Sequence, residues 1–287
     1  MLLILNRYLY RLGLALTCFS AAWSYVPWAH AQYPFDVPFV PTPQVVVDEM
    51  LRLARVGAGD YVIDLGSGDG RIPITAAQKY GARGLGVDLD AELHAQSEES
   101  ARLAGVEARV KFLNQDLFKT DIGEATVITM YLLPSVVKRL RPRLLDLKPG
   151  TRIVSHDFDM DEWKPDYKTT IRKNVFLWIV PAKVGGRWLT RIALPGGERY
   201  VELHFRQQFQ EFDGLVRIDG QMAQLWEPRL EGDRIRFAVV DSADRENEAS
   251  LYFEGRVRGD AIEGEIRRGV GSAQTVIRWN AVKVADK

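Results

Sequence analysis

A chain of 287 residues is long enough for one α/β domain and a smaller companion. With 46% apolar and 26% charged residues it can bury a substantial core without disulfides or structural metals, which excludes a disordered or fibrous protein. Lys plus Arg and Asp plus Glu each number 38, so no global field draws in a polyanion and a nucleic-acid partner is not expected.

Arg7 and Arg11 precede an apolar run from Leu12 to Ala22, and Ala29-His30-Ala31 follows. This is the grammar of a secretory signal peptide over residues 1–31. No Lys or Arg lies between Arg11 and Arg52, a bias that keeps the extreme N-terminus inside and sends the rest across the membrane. The expectation is an exported protein, periplasmic or membrane-associated. An uncleaved anchor is the alternative, because the apolar stretch continues to Trp28 with only Pro27 interrupting it. The single cysteine, Cys18, falls in this segment, and a cysteine-free remainder suits either redox compartment.

Four prolines between Pro34 and Pro43 rule out helix and predict an extended arm laid over the next domain. A helix should follow, with Val46, Val47, Met50, Leu51, Leu53 and Ala54 at helical spacing. Strands are predicted at 61–65, 84–88, 110–113, 125–131 and 151–156, with helices at 72–79, 91–104 and 134–145 between them. This alternation implies a parallel sheet with helices on both faces. Segments 174–180 and 187–192 flank Gly185-Gly186 and read as a hairpin at the sheet edge. The α/β domain is thus expected over residues 32–193, with Leu194-Pro195-Gly196-Gly197 as a linker. Beyond it, residues 196–287 break into short alternating segments punctuated by Gly-Asp pairs at 232–233 and 259–260. They predict a small antiparallel meander, closed or sandwiched, that carries no chemical motif.

Chemistry concentrates in Val62-Ile63-Asp64-Leu65-Gly66-Ser67-Gly68-Asp69-Gly70-Arg71, an apolar strand running into a glycine loop that opens a helix. Glycines there admit a ligand close to the backbone and tolerate positive φ, and Pro73 is acceptable in a first helical turn. A dinucleotide loop would read G-x-G-x-x-G, but counted from Gly66 its last position is Arg71, which disfavours a nicotinamide-dependent oxidoreductase. Asp88 ends the second strand about 20 residues beyond Gly66, where an acid can accept hydrogen bonds from both hydroxyls of a ribose. The nearby Asp90 suits a helix start instead. Asn114-Gln115-Asp116 follows the third strand, and Asp116 also has an ordinary reading as a turn residue.

The acid followed by G-x-G-x-G resembles motif I of class I S-adenosylmethionine-dependent methyltransferases. The resemblance covers about Val40 to Ile192 and implies a Rossmann-like methyltransferase sheet. It implies Asp64 at the methionine amino group, Gly66, Gly68 and Gly70 lining the methionine and ribose, Asp88 on the ribose and Asp116 at the adenine amine. Pro38-Phe39-Val40-Pro41-Thr42-Pro43 together with Asp-Leu-Gly-Ser-Gly-Asp-Gly-Arg-Ile is similar to the lysine methyltransferases of mitochondrial membrane proteins and their bacterial relatives. That similarity implies a protein lysine as methyl acceptor and a hydrophobic N-terminal segment.

On the acceptor side, Met130-Tyr131-Leu132-Leu133-Pro134 replaces the Asn-Pro-Pro-Tyr type of loop used on planar nitrogens, which argues against DNA adenine or glutamine acceptors. Tyr131 is a candidate channel wall, although an aromatic at a strand end is more often a packing residue. His156, in Ser155-His156-Asp157 at the end of the fifth strand, is the candidate base, with a structural histidine as the other reading. Lys138, Arg139, Arg141 and Arg143 read as a solvated helix face, with an anionic membrane or partner as the minority reading. No metal ligands are assigned. The rival function is an exported, non-catalytic binding or scaffold protein that keeps the methyltransferase fold, motivated by a cofactor made in the cytoplasm.

Overall fold

The computed structural model describes residues 39–194, 196–240, 250–269 and 274–285. The signal-peptide reading of residues 1–31 and the start of the arm lie outside them. The first described element is helix α1 (Gln44–Leu53), which buries Val46, Val47, Met50 and Leu51 along one stripe. There follow β1 (Tyr61–Leu65), α2 (Arg71–Tyr80), β2 (Arg83–Asp88), α3 (Ala91–Leu103), β3 (Val110–Asn114), β4 (Val127–Met130), α4 (Pro134–Leu145) and β5 (Arg152–His156). Each expected strand and helix of this stretch forms, with bounds shifted by at most two residues.

Seven strands make one sheet in the order β3-β2-β1-β4-β5-β7-β6, where β6 is Tyr167–Ile171 and β7 is Lys173–Ile179. The first five are mutually parallel; β7 runs antiparallel to β5, and β6 to β7. Alternate residues of a strand face opposite sides, so near-continuous apolar runs in the sequence mean that both faces are covered. Val62, Val127 and Val154 pack with α1 and α2 on one face. Ile63, Ile128 and Ile153 pack with Leu140 and Leu144 of α4 on the other. Strand order reverses between β1 and β4, the switch point where such sheets open a crevice at the carboxyl ends of their strands.

The remaining strands close a barrel in the order β10-β11-β12-β13-β14-β15-β8-β9. They are β8 (Gly186–Leu194), β9 (Gly197–Gln208), β10 (Glu211–Ile218), β11 (Gln221–Glu231), β12 (Arg234–Val240), β13 (Ser250–Arg258), β14 (Ala261–Arg268) and β15 (Thr275–Val284). The predicted Gly-Asp hairpins turn at Gly232 and Gly259, both at positive φ. Closure removes exposed strand edges. Aromatic rings pack together in its core: Phe237 stacks on Phe253 at 4.7 Å, and Trp279 meets both edge-on. At Gly264 a Cβ would lie 1.9 Å from the Glu254 carbonyl oxygen, so the strands could not approach so closely with any other residue.

Two expectations are corrected here. β8 does not pair with β7 at the sheet edge; it pairs with β9 and β15 in the barrel, burying Trp188, Thr190 and Ile192 there. The expected linker does not separate two domains: Leu194 and Gly197 pair with each other as the ends of barrel strands β8 and β9. The two folds are joined by packing as well as by chain. Phe209, at the β9–β10 turn, stacks on the fully buried Trp163 with ring centroids 5.9 Å apart and parallel planes. Ala182 N–H donates to the Gly232 carbonyl at 2.8 Å.

Candidate active site

Every acid singled out in the sequence, and Tyr131 and His156 with them, falls at or just beyond the carboxyl end of a parallel strand. A cavity of about 1150 Å³, including its open mouth, sits at the switch point there. Asp64, Gly66, Asp88, Asp116 and Tyr131 lie on its wall. The glycine loop turns sharply after β1, with Gly66, Gly68 and Gly70 all at positive φ. The N–H groups of Gly66 and Ser67 donate to the Val87 carbonyl at 2.9 and 3.0 Å, tying the loop to β2.

Asp64 is 2% exposed and accepts a hydrogen bond from the Thr129 hydroxyl at 2.7 Å. Burial, reinforced by the charges of Asp88 and Asp69, pushes its pKa up to about 8. A carboxyl held this way has a strong electrostatic demand for a cation. Asp88 accepts from Gly68 N–H at 2.8 Å on one oxygen and from Asp90 N–H at 3.0 Å on the other. Each oxygen keeps a further lone pair, so the loop fixes the carboxylate without saturating it. Asp90 caps α3, accepting from Glu92 and Leu93 N–H as its helix-start reading requires. Asp116 is both a turn residue, accepting from Phe118 N–H at 2.8 Å, and part of the cavity wall.

The glycines divide by role. A Cβ at Gly68 would sit 2.3 Å from the Phe39 ring, so the arm lies directly on the loop at that point. Gly68 and Gly70, both expected to line a ligand, are not on the wall; a Cβ at Gly70 would lie 2.6 Å from the Phe112 ring, so close packing of β3 and α3 demands it. The arm is part of the site: Phe39, Val40, Pro41 and Thr42 all line the cavity. Arg71 holds it there, donating to the Thr42 carbonyl at 2.8 Å while its guanidinium also pairs with Asp69.

His156, the candidate base, is 2% exposed and is not among the residues on the cavity wall. Its Nδ1 is 3.2 Å from the Thr42 hydroxyl, its ring lies 4.0 Å from that of Tyr131, and burial holds its pKa below the usual value. The basic run of α4 is corrected in part: Lys138 and Arg139 are exposed as a solvated face requires, while Arg141 and Arg143 are half-buried against loops. Arg143 donates to the carbonyls of Leu117, Phe118 and Thr120 at 3.1, 2.7 and 2.5 Å. Arg139 stacks on the Phe118 ring at 4.0 Å and lines the cavity, and Arg141 donates to the Met160 carbonyl at 3.0 Å. These side chains brace the loops after β3 and β5. Their spacing in the sequence signals a helical face but not what lies against it.

The family described as the ANTKMT methyltransferase domain matches residues 64–167. A protein-lysine N-methyltransferase of Saccharolobus islandicus is 44% identical over 144 residues, half of this chain and 84% of the relative. The mouse adenine nucleotide translocase lysine N-methyltransferase is 34% identical, over 54% of this chain and 73% of its own. A second mouse lysine N-methyltransferase, named for an ATP synthase component, is 33% identical, with 62% of its length spanned. Among solved structures, an RNA methyltransferase from Salinibacter ruber in complex with S-adenosyl-L-homocysteine is 51% identical. It superposes with a TM-score of 0.50 over half of this chain and 96% of that one.

Proposed function

The chain belongs to the ANTKMT family of class I S-adenosylmethionine-dependent methyltransferases, and on that premise we propose that it methylates the side-chain amine of a protein lysine. The cofactor supplies an electrophilic sulfonium methyl. The cavity suits it. In this reading Asp64 faces the cofactor's amino group, whose charge would satisfy a buried carboxyl now pushed toward its neutral form. Asp88 offers its spare lone pairs to the ribose hydroxyls, Gly66 and Ser67 present bare backbone, and Asp116 accepts from the adenine amine.

A lysine must arrive as the free amine, with its lone pair directed at the methyl carbon. Phe39, Phe118 and Tyr131 give the cavity an aromatic wall that would strip water from an ammonium and so lower its pKa. Positioning and desolvation then carry the step; no side chain on the wall needs to act as a strong base. The observation that carries the lysine reading is the similarity to lysine methyltransferases across most of their length.

RNA is the second reading, because the Salinibacter ruber neighbour is described as an RNA methyltransferase. The two separate cleanly. Incubation of the protein with methyl-tritiated cofactor and a cell extract should place label in methyl-lysine after acid hydrolysis of the protein fraction. Label that resists protease and is released by ribonuclease would replace the lysine reading with the RNA one. Export is proposed from the leader sequence alone.

A further inference from the structure

Four contacts form a continuous path across the cavity. Phe39 lies on Gly68 of the cofactor loop. Arg71, at the start of α2, donates to the carbonyl of Thr42. The Thr42 side chain meets His156 Nδ1 at 3.2 Å, and the His156 ring packs on Tyr131. Tyr131 also stacks on Phe158, with centroids 6.1 Å apart, and forms part of the cavity wall. Arg71, Thr42, His156 and Tyr131 belong to four separate segments: α2, the arm, the end of β5 and the end of β4.

Thr42 and His156 are 5% and 2% exposed, and His156 Nε2 has no hydrogen-bond partner among the described residues. A buried imidazole that keeps a single hydrogen bond depends heavily on it, since losing it leaves a second unpaired polar atom. The groups facing His156 are Thr42 from the arm, Tyr131 from β4, and the charges of Asp157 and Lys173, which are paired with each other at 2.9 Å. The histidine therefore has a neighbour on each side of the site and no role on the wall itself.

We propose that Thr42 and His156 are a positioning pair: their hydrogen bond latches the arm over the cofactor loop and fixes the Tyr131 ring at the acceptor side of the cavity. One contact thus sets both how long the cofactor stays and how the acceptor channel is shaped. The proposal rests on the methyltransferase reading for its second half and on geometry alone for its first, so the two halves are tested separately.

The test compares the full chain with Thr42→Ser, which keeps the hydroxyl, and Thr42→Val, which keeps the volume and removes it. Without any acceptor, amide hydrogen exchange over residues 39–43 and the dissociation rate of S-adenosylhomocysteine are measured. Thr42→Val should exchange faster in the arm and release the ligand roughly tenfold faster, while Thr42→Ser stays within about twofold of the parent, as loss of one hydrogen bond contributing about 1.4 kcal/mol predicts. Unchanged exchange and release in a folded Thr42→Val protein would overturn the latch. Single-turnover transfer to a lysine-containing acceptor then reads the second half. Thr42→Val and His156→Asn should each slow transfer at saturating cofactor by similar factors, and the double variant should be no slower than either. Additive losses would overturn a shared action on Tyr131. If the parent protein transfers no methyl group to any protein, the lysine reading fails while the exchange and release data still decide the latch.

Discussion

At the scale of single residues, Asp64 dominates the electrostatics of the site. Its folded pKa is raised from 3.8 to about 8. The folded state thus keeps a proton that the unfolded chain gives up, and folding stability contributed at this position falls as pH rises from about 4 to about 8. Asp64→Asn should abolish that dependence, making the ligand-free protein more stable than the parent by the order of a few kcal/mol at pH 8 and little different at pH 4. Chemical denaturation across pH checks this; parallel curves for the two proteins would refute a strained carboxyl. The same substitution should weaken cofactor binding, so stability and function oppose each other at one atom group. The place of Asp64 on the cavity wall could be read from the sequence, because an acid ending an apolar strand before a glycine loop falls at the carboxyl edge of the sheet. Its partner Thr129 could not, since nothing in a sequence says that β4 lies beside β1.

At the scale of elements, α4 shows why pattern reading stops short of contacts. Charges on one stripe of a helix usually meet solvent, yet here Arg143 satisfies three loop carbonyls and Arg139 covers Phe118. Arg143→Met keeps the stem and removes the donors. It should loosen residues 115–120, which hold Gln115, Asp116 and Phe118 on the cavity wall, and weaken S-adenosylhomocysteine binding about tenfold with the barrel undisturbed. Calorimetric affinity together with hydrogen exchange over that loop decides it. The parallel strands were legible from their apolar runs and from the alternation with helices. β8 was not: its period-2 pattern declares one buried face but not which sheet buries it, and Gly185-Gly186 resembles a hairpin turn while serving as the entry to the barrel.

At the scale of the molecule, the stacking of Phe209 on Trp163 makes part of the α/β core depend on the barrel. The two folds should therefore unfold in one cooperative transition, and S-adenosylhomocysteine should raise its midpoint as a whole. Phe209→Ala, costing about 1–3 kcal/mol at that half-buried contact, should split calorimetric unfolding into two steps, only the α/β step responding to ligand. Two independent steps in the parent protein would contradict the coupling. For the leader, a carboxy-terminal alkaline phosphatase fusion should be active outside the cytoplasm, and a normally made but inactive fusion would remove the proposal of export.

The account turns on the cavity between β1, β2 and β4 being the cofactor cradle, and calorimetric titration of S-adenosylhomocysteine into the full chain tests it most directly. Run at pH 7 in two buffers of different ionisation enthalpy, it should show saturable binding accompanied by release of nearly one proton, as a carboxyl with a pKa of about 8 ionises beside the ligand's ammonium. Asp88→Ala should weaken the binding by about 1–3 kcal/mol, and Asp64→Asn should leave no proton release. A folded protein that binds nothing, or binds without proton release and is indifferent to both substitutions, would contradict the assignment.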